Sequence, residues 1–114
     1  MGGHVLDDVK PQSVRMASGL SGGLGSTKQE VCGALSGAVL VIGALFGRVS
    51  LAEDDQPAID LAARCRNRFL EEFGYTQCSE LREKVVDPPG GLGSCGVLTE
   101  RAANILLDLL AEAG

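Results

Sequence analysis

The longest apolar segment of the chain, residues 31–47, contains a single polar residue, Ser36. Hydrophobic residues would cover every face of a helix built from it, which is typical of a helix surrounded by others in a bundle. Thr27 and Glu30 precede the segment with the spacing of a capping box. The pattern predicts a central, apolar, Gly-rich helix over about residues 28–46.

Amphipathic patterns predict further helices on both sides of this segment. Between Pro57 and Phe73, apolar residues recur at spacings of three and four, and Gly74 follows as a C-terminal cap. A short helix is expected before the central one, and two more over about residues 76–86 and 95–112. No segment shows a convincing strand pattern. Together, these patterns predict an all-α, compact bundle of four to five helices.

Length and composition fit a single domain. The chain has 114 residues, with three Phe, one Tyr and no Trp, so Leu, Val, Ile and Ala must build the core. Residues 1–9 are polar and are predicted to be a disordered tail, and residues 10–114 to form one helical domain. Residues 31–47 are short for a membrane span, which needs about 20 apolar residues, so no membrane association is expected.

Charge and sorting signals narrow the function classes. The net charge of −5 argues against nucleic-acid binding, which needs a basic surface. The N-terminus has no apolar signal-peptide region, so we expect a cytoplasmic protein. Cysteines in a cytoplasmic chain indicate metal or redox chemistry, or small buried hydrophobes, before disulfides.

A glycine-rich loop precedes the central helix, with glycines at Gly22, Gly23 and Gly25. Its spacing does not match a phosphate-binding loop, and no strand pattern comes before it. We interpret it as a tight turn between helices that permits close backbone approach. Gly33 and Gly37 are expected to let neighbouring segments approach the central helix closely.

Three of the four cysteines lie at the starts of predicted helices: Cys32, Cys78 and Cys95. Free N–H groups at helix N-termini stabilise a thiolate, and they can also donate to the sulfurs of an iron–sulfur cluster. Cys65 lies in mid-helix on an apolar stripe, where packing in the core is the better interpretation. The shared placement of the other three predicts one site of redox thiols or metal ligands.

Several familiar sulfur chemistries are excluded. No Cys-x-x-Cys pair occurs, so a thioredoxin-type dithiol, a zinc ribbon and a bacterial ferredoxin run are absent. The covalent haem motif is missing too, and we expect no covalent haem. His4 is the only histidine, which gives little support to a Cys–His nucleophile.

The glycines and cysteines together resemble a known family. Residues 16–25, 31–43 and 46–47, with the later segments Cys78-Ser-Glu-Leu81 and Cys95-Gly-Val-Leu98, look like the C_GCAxxG_C_C family of redox-active proteins. The resemblance covers about residues 12–112. The family is similar in its cysteine region to split-Soret cytochromes, which carry haem and an iron–sulfur centre. This resemblance implies an iron–sulfur cluster, another thiolate-bound metal or redox thiols at Cys32, Cys78 and Cys95.

The chain departs from the family pattern in one respect. The family's first cysteine lies upstream of the glycine loop, whereas this chain has none before Cys32. Cys65 could replace it, a partner subunit could contribute one, or the site could have three ligands. A first helix missing from this sequence is the remaining interpretation.

The leading hypothesis is a redox-active protein that transfers electrons to a partner protein. The alternative is a non-enzymatic helical binding or scaffold protein, in which the cysteines pack or hold a structural metal. A small-molecule pocket over the glycine loop ranks last. No reaction can be assigned, and whether the protein is an enzyme stays open. Apolar helix surface makes a homodimer plausible.

Overall fold

The computed structural model describes residues 10–113, and this part of the chain is all-α with no β-strand. The predicted all-α bundle is confirmed. The helices are α1 (Pro11–Ala17), α2 (Gly33–Phe46), α3 (Gln56–Phe73), α4 (Cys78–Leu81) and α5 (Cys95–Ala113). A 3-10 turn (Ser18–Leu20) follows α1, and a π-helical turn (Arg82–Val86) follows α4. The tail predicted at residues 1–9 lies outside the described residues.

The core lies where α2, α3 and α5 pack against one another. One apolar face of α5 is buried, and its members follow the helical repeat: Leu98, Ala102, Leu106 and Leu109. On α3, Phe69 and Phe73 meet edge to face, with ring centroids 4.7 Å apart. Burial of the Leu and Phe side chains, at about 1.5–3 kcal/mol each, is the main stabilising contribution to the bundle.

The end of α3 is the one that the sequence predicts. Gly74 adopts a left-handed backbone conformation with φ +81°, and its N–H donates to the carbonyl oxygen of Leu70 at 2.7 Å. Pro57 lies in the first turn of α3, where its missing N–H costs nothing. These two signals bound the helix correctly.

The start of α2 is not the predicted one, because the helix begins at Gly33 instead of residue 28. Lys28 has φ +64°, in the left-handed region, so a right-handed helix cannot begin there. The Thr27 hydroxyl donates to the carbonyl oxygens of Gly23 and Leu24, and it therefore belongs to the loop. The predicted capping box is wrong.

No segment of residues 10–113 covers one side of α2, contrary to the expectation that other helices surround it. The helix packs with one side against α3 and α5. Its outer side leaves three apolar residues partly exposed: Val39, Leu40 and Leu45. Within residues 10–113, no helix is both long and apolar enough to cross a membrane.

Candidate functional site

Two cysteines are brought together by backbone pairing between the segments that precede α2 and α4. The N–H of Cys32 donates to the carbonyl oxygen of Thr76 at 2.8 Å, and the N–H of Cys78 donates to that of Glu30 at 2.9 Å. The two segments run antiparallel at this point. Cys32 is the N-cap residue of α2 and Cys78 is the first residue of α4. Both therefore start helices, as predicted, and these bonds hold the two helix starts side by side.

The glycine loop packs directly beneath this pairing. A Cβ on Gly23 would lie 2.9 Å from the Cβ of Cys78 and 3.0 Å from the carbonyl oxygen of Glu30. Gly23 also has φ +75°, which side chains rarely adopt. Glycine is therefore required at this position, and the loop supports Cys78 by direct contact.

The other predicted glycines differ in their surroundings. A Cβ on Gly33 would lie 3.3 Å from the carbonyl oxygen of Leu20, so the expected close approach of a neighbouring segment occurs there. Gly22 has Ser26 as its close neighbour, whereas Gly25 and Gly37 face open space. The expectation that Gly37 admits a close neighbour is wrong, because a Cβ at Gly37 would meet no atom of a neighbouring described segment within 4 Å.

The third cysteine starts α5. The Ser94 hydroxyl accepts a hydrogen bond from the N–H of Val97 at 3.3 Å, so Ser94 caps the start of this helix. Cys95 is the first residue of the helix. Accessibility differs among the three thiols: Cys95 is exposed, Cys32 is half-buried and Cys78 is buried.

All three of these cysteines line one cavity of about 470 Å³. This volume is in the range of pockets that hold small molecules or cofactors. Cys65 does not line it, because its side chain lies in the core with 1% of its surface exposed. The structure thus brings together the three cysteines at helix starts and leaves Cys65 in the packing role that its sequence position indicates.

The thiols influence one another electrostatically. The pKa of Cys32 is raised, mainly by burial and further by the charges of Cys78 and Cys95. The backbone N–H groups of Ala34 and Leu35 face its sulfur and lower the pKa in part, although neither makes a regular capping hydrogen bond. Cys32 is therefore held as a thiol at neutral pH.

Arg82 is a cavity residue that the sequence reasoning missed. It lies on the π-helical turn after α4 and lines the cavity with Cys78 and Cys95. The pKa of Arg82 is raised by hydrogen bonding and electrostatic interaction with the Cys95 side chain, and also by Cys78 and Asp87. Arg82 follows Cys78 by four residues, the spacing that places two side chains on one helix face, and this signal could have found it.

The three thiols are suitable metal ligands by their chemistry, but their arrangement in the structure does not form a metal site. Thiolates are the ligands that iron–sulfur clusters and zinc prefer. Among the described residues, however, no group of three Cys, His, Asp or Glu side chains is arranged to hold a metal ion. The sulfurs share a cavity without forming a ready ligand set, and an iron–sulfur cluster stays a prediction.

A helical bundle with a glycine loop and three cysteines around one cavity defines a class of cysteine-bearing all-α proteins. Within this class, the chain belongs to the family described as "Putative redox-active protein (C_GCAxxG_C_C)", which it matches over residues 4–109. The predicted family is confirmed, and its description agrees with a redox role. No curated protein and no solved structure matches the chain.

Proposed function

We propose that this protein is a redox-active protein whose working groups are the thiols of Cys32, Cys78 and Cys95. The observation that carries the proposal is that these residues, distant in sequence, each start a helix and line one cavity. The redox-active description of the family supports it. The function is the transfer of electrons between these thiols and a partner.

The accessibility of the thiols suggests their order of use. Cys95 is exposed and is the thiol that an oxidant from solution reaches first. A second cavity thiol, Cys32 or Cys78, then completes a disulfide. In that step two thiols lose two protons and two electrons, and a disulfide on the partner is reduced to two thiols. The reverse reaction regenerates the reduced protein.

An iron–sulfur cluster is the second candidate, and one observation favours it. The N–H groups of Ala34 and Leu35 face the sulfur of Cys32, as N–H groups do around cluster sulfurs, where they tune the potential. Cys32, Cys78 and Cys95 would be the ligands, and a bound cluster would supply one-electron transfer.

Anaerobic purification separates the two candidates. We would measure iron, acid-labile sulfide, visible absorbance and free thiols on the same sample, with Cys65→Ala as the matched control. Four free thiols, no iron and reversible oxidation of the cavity cysteines support thiol chemistry. Iron and sulfide that are lost in Cys78→Ser and kept in Cys65→Ala support the cluster.

The scaffold alternative has its own outcome in this experiment. An iron-free protein whose cavity thiols show no reversible oxidation, and whose cysteine variants lose only stability, would contradict a redox role. It would favour a binding or scaffold protein with packing cysteines.

The proposal also includes a protein partner and a cytoplasmic location. The exposed apolar side of α2, with Val39, Leu40 and Leu45, supports docking of a redox partner protein or formation of a homodimer. The four cysteines are free thiols, which suits the reducing cytoplasm. Sedimentation of the reduced protein over a range of concentrations tests self-association.

A further inference from the structure

We propose that the cavity selects an anionic partner molecule: a small organic disulfide that carries carboxylates, held by Lys28 and Arg82 while it reacts with Cys95. The inference rests on the proposed redox function and names its substrate class. It depends on the charges that line the cavity as well as on the thiols.

The described cavity lining carries positive charge, although the protein as a whole is acidic. The chain as a whole carries a net charge of −5. Yet among residues 10–113 the cavity wall contains Lys28 and Arg82 and no Asp or Glu. Within the described residues, neither cation forms an ion pair with a carboxylate, although Asp87 acts on Arg82 through space. The two cations are therefore available to the carboxylates of a ligand.

The remaining wall suits an organic anion. Hydroxyl groups of Ser21, Ser26 and Thr99 supply hydrogen-bonding capacity, and Leu20 and Leu40 supply apolar surface. A cavity of about 470 Å³ exceeds what a simple inorganic anion needs and has room for a molecule with several carbon atoms.

The position of Arg82 links binding to chemistry. Arg82 lines the same cavity as Cys95, the exposed thiol, and interacts with it electrostatically. A carboxylate bound there would bring the neighbouring S–S bond of the ligand close to the Cys95 sulfur. Lys28 lies in the loop segment that pairs with the start of α4, and its carbonyl oxygen accepts the N–H of Ser79 at 2.9 Å. Both cations are thus anchored to the elements that carry the thiols.

The reaction is a thiol–disulfide exchange. The Cys95 thiol loses its proton to solvent, and the sulfur attacks one sulfur of the ligand. A new S–S bond forms between Cys95 and half of the ligand while the ligand's own S–S bond breaks. The other half leaves as a thiolate and takes up a proton. The products are a mixed disulfide on Cys95 and one free thiol.

Three aliphatic disulfides of different charge test the selection: dithiodipropionate (anionic), hydroxyethyl disulfide (neutral) and cystamine (cationic). Formation of the mixed disulfide on the intact, reduced protein is followed by mass spectrometry with peptide mapping. Each rate is divided by that of the same reagent with a small uncharged thiol. We expect dithiodipropionate to react at Cys95 at least about tenfold faster than cystamine, as focusing of charge in a cleft allows.

Two variants and one control locate the effect. Lys28→Gln and Arg82→Gln should each reduce the anion-to-cation rate ratio by about threefold or more, and added salt should reduce it in the wild type. Arg66→Gln removes one exposed charge from a residue that does not line this cavity, and it should leave the ratio unchanged.

The outcomes distinguish a failure of anion selection from a failure of the proposed redox function. Cystamine reacting as fast as dithiodipropionate, a ratio unaltered in both cavity variants, or labelling away from Cys95 overturns anion selection. Hydroxyethyl disulfide reports the redox function alone. If it oxidises none of the three cavity cysteines, the proposed function itself fails.

Discussion

Replacing Gly23 by alanine tests whether the glycine loop holds Cys78 in position. The backbone φ of +75° costs a residue with a side chain about 1–2 kcal/mol. The new Cβ would also lie 2.9 Å from the Cβ of Cys78 and 3.0 Å from the Glu30 carbonyl oxygen. Overpacking of this kind costs about 1–3 kcal/mol. We therefore expect Gly23→Ala to lower the free energy of unfolding by about 2–5 kcal/mol.

Gly25→Ala is the matched control in the same loop. Gly25 also has a left-handed backbone, with φ +61°, but a Cβ at this residue would meet no other atom within 4 Å. It should therefore lose only the conformational part, about 1–2 kcal/mol.

Urea unfolding followed by circular dichroism measures both variants. The difference between them measures the close contacts of Gly23 with Cys78 and with the backbone of Glu30 and Lys28. An equal loss of stability in Gly23→Ala and Gly25→Ala would refute this close packing of the loop beneath the Cys78 segment.

Three further predictions concern the thiols and the surface ion pairs. In the native protein at neutral pH, iodoacetamide should modify exposed Cys95 first and buried Cys78 only after unfolding; mass spectrometry of digests measures the order, and equal rates would contradict it. Burial raises the pKa of Cys65 above its ordinary 9.0, against a smaller lowering by Arg68, so the stability that depends on the neutral thiol is present below pH 9.0 and is lost as the pH rises through the folded-state pKa. Thermal unfolding of Cys65→Ala above pH 9.0 should accordingly show a shallower decline than the wild type, and parallel declines would count against it. The hydrogen bond from Arg68 lowers the pKa of Glu112 below 4.5, so its contribution is present above pH 4.5 and is lost as the pH falls through the folded-state pKa. Glu112→Gln should lower the melting temperature at neutral pH and not in strong acid, and a difference independent of pH would be the opposite result.

The helices that the sequence predicts best are those with one apolar stripe and a clear end signal. In α5, Leu98, Ala102 and Leu106 recur at helical spacing, so burial of one face follows from periodicity alone. Gly74 ends α3 because glycine is the residue that best tolerates a left-handed cap. Local chemistry is sufficient in both cases.

The start of α2 shows where local chemistry is insufficient. Thr27 and Glu30 have the spacing of a capping box, yet Lys28 between them is left-handed, and its N–H donates to the Gly22 carbonyl oxygen at 2.8 Å. The Thr27 hydroxyl bonds back into the loop. A turn built on consecutive left-handed residues has no periodic signature, so tertiary contacts decide between loop and helix.

The sequence could predict which cysteines belong to the candidate site, but it could not predict how the fold brings them together. Cys32, Cys78 and Cys95 stood out because each lies at the start of a predicted helix. The pairing that joins Cys32 to Thr76 and Cys78 to Glu30 spans more than 40 residues of chain, and no local pattern encodes it. Sequence spacing could have identified Arg82 as a neighbour of Cys78, because it follows Cys78 by four residues. Spacing gives no information on the other contacts of the site.

The central claim is that Cys32, Cys78 and Cys95 form one redox site from which Cys65 is excluded. Equilibrating the full chain with dithiothreitol at a series of potentials, then labelling and mapping every thiol, tests it most directly. We predict reversible oxidation confined to the three cavity cysteines, with Cys65 reduced throughout. Oxidation of Cys65 together with the others, or four thiols that stay reduced at the most oxidising potential in an iron-free protein, would contradict the claim.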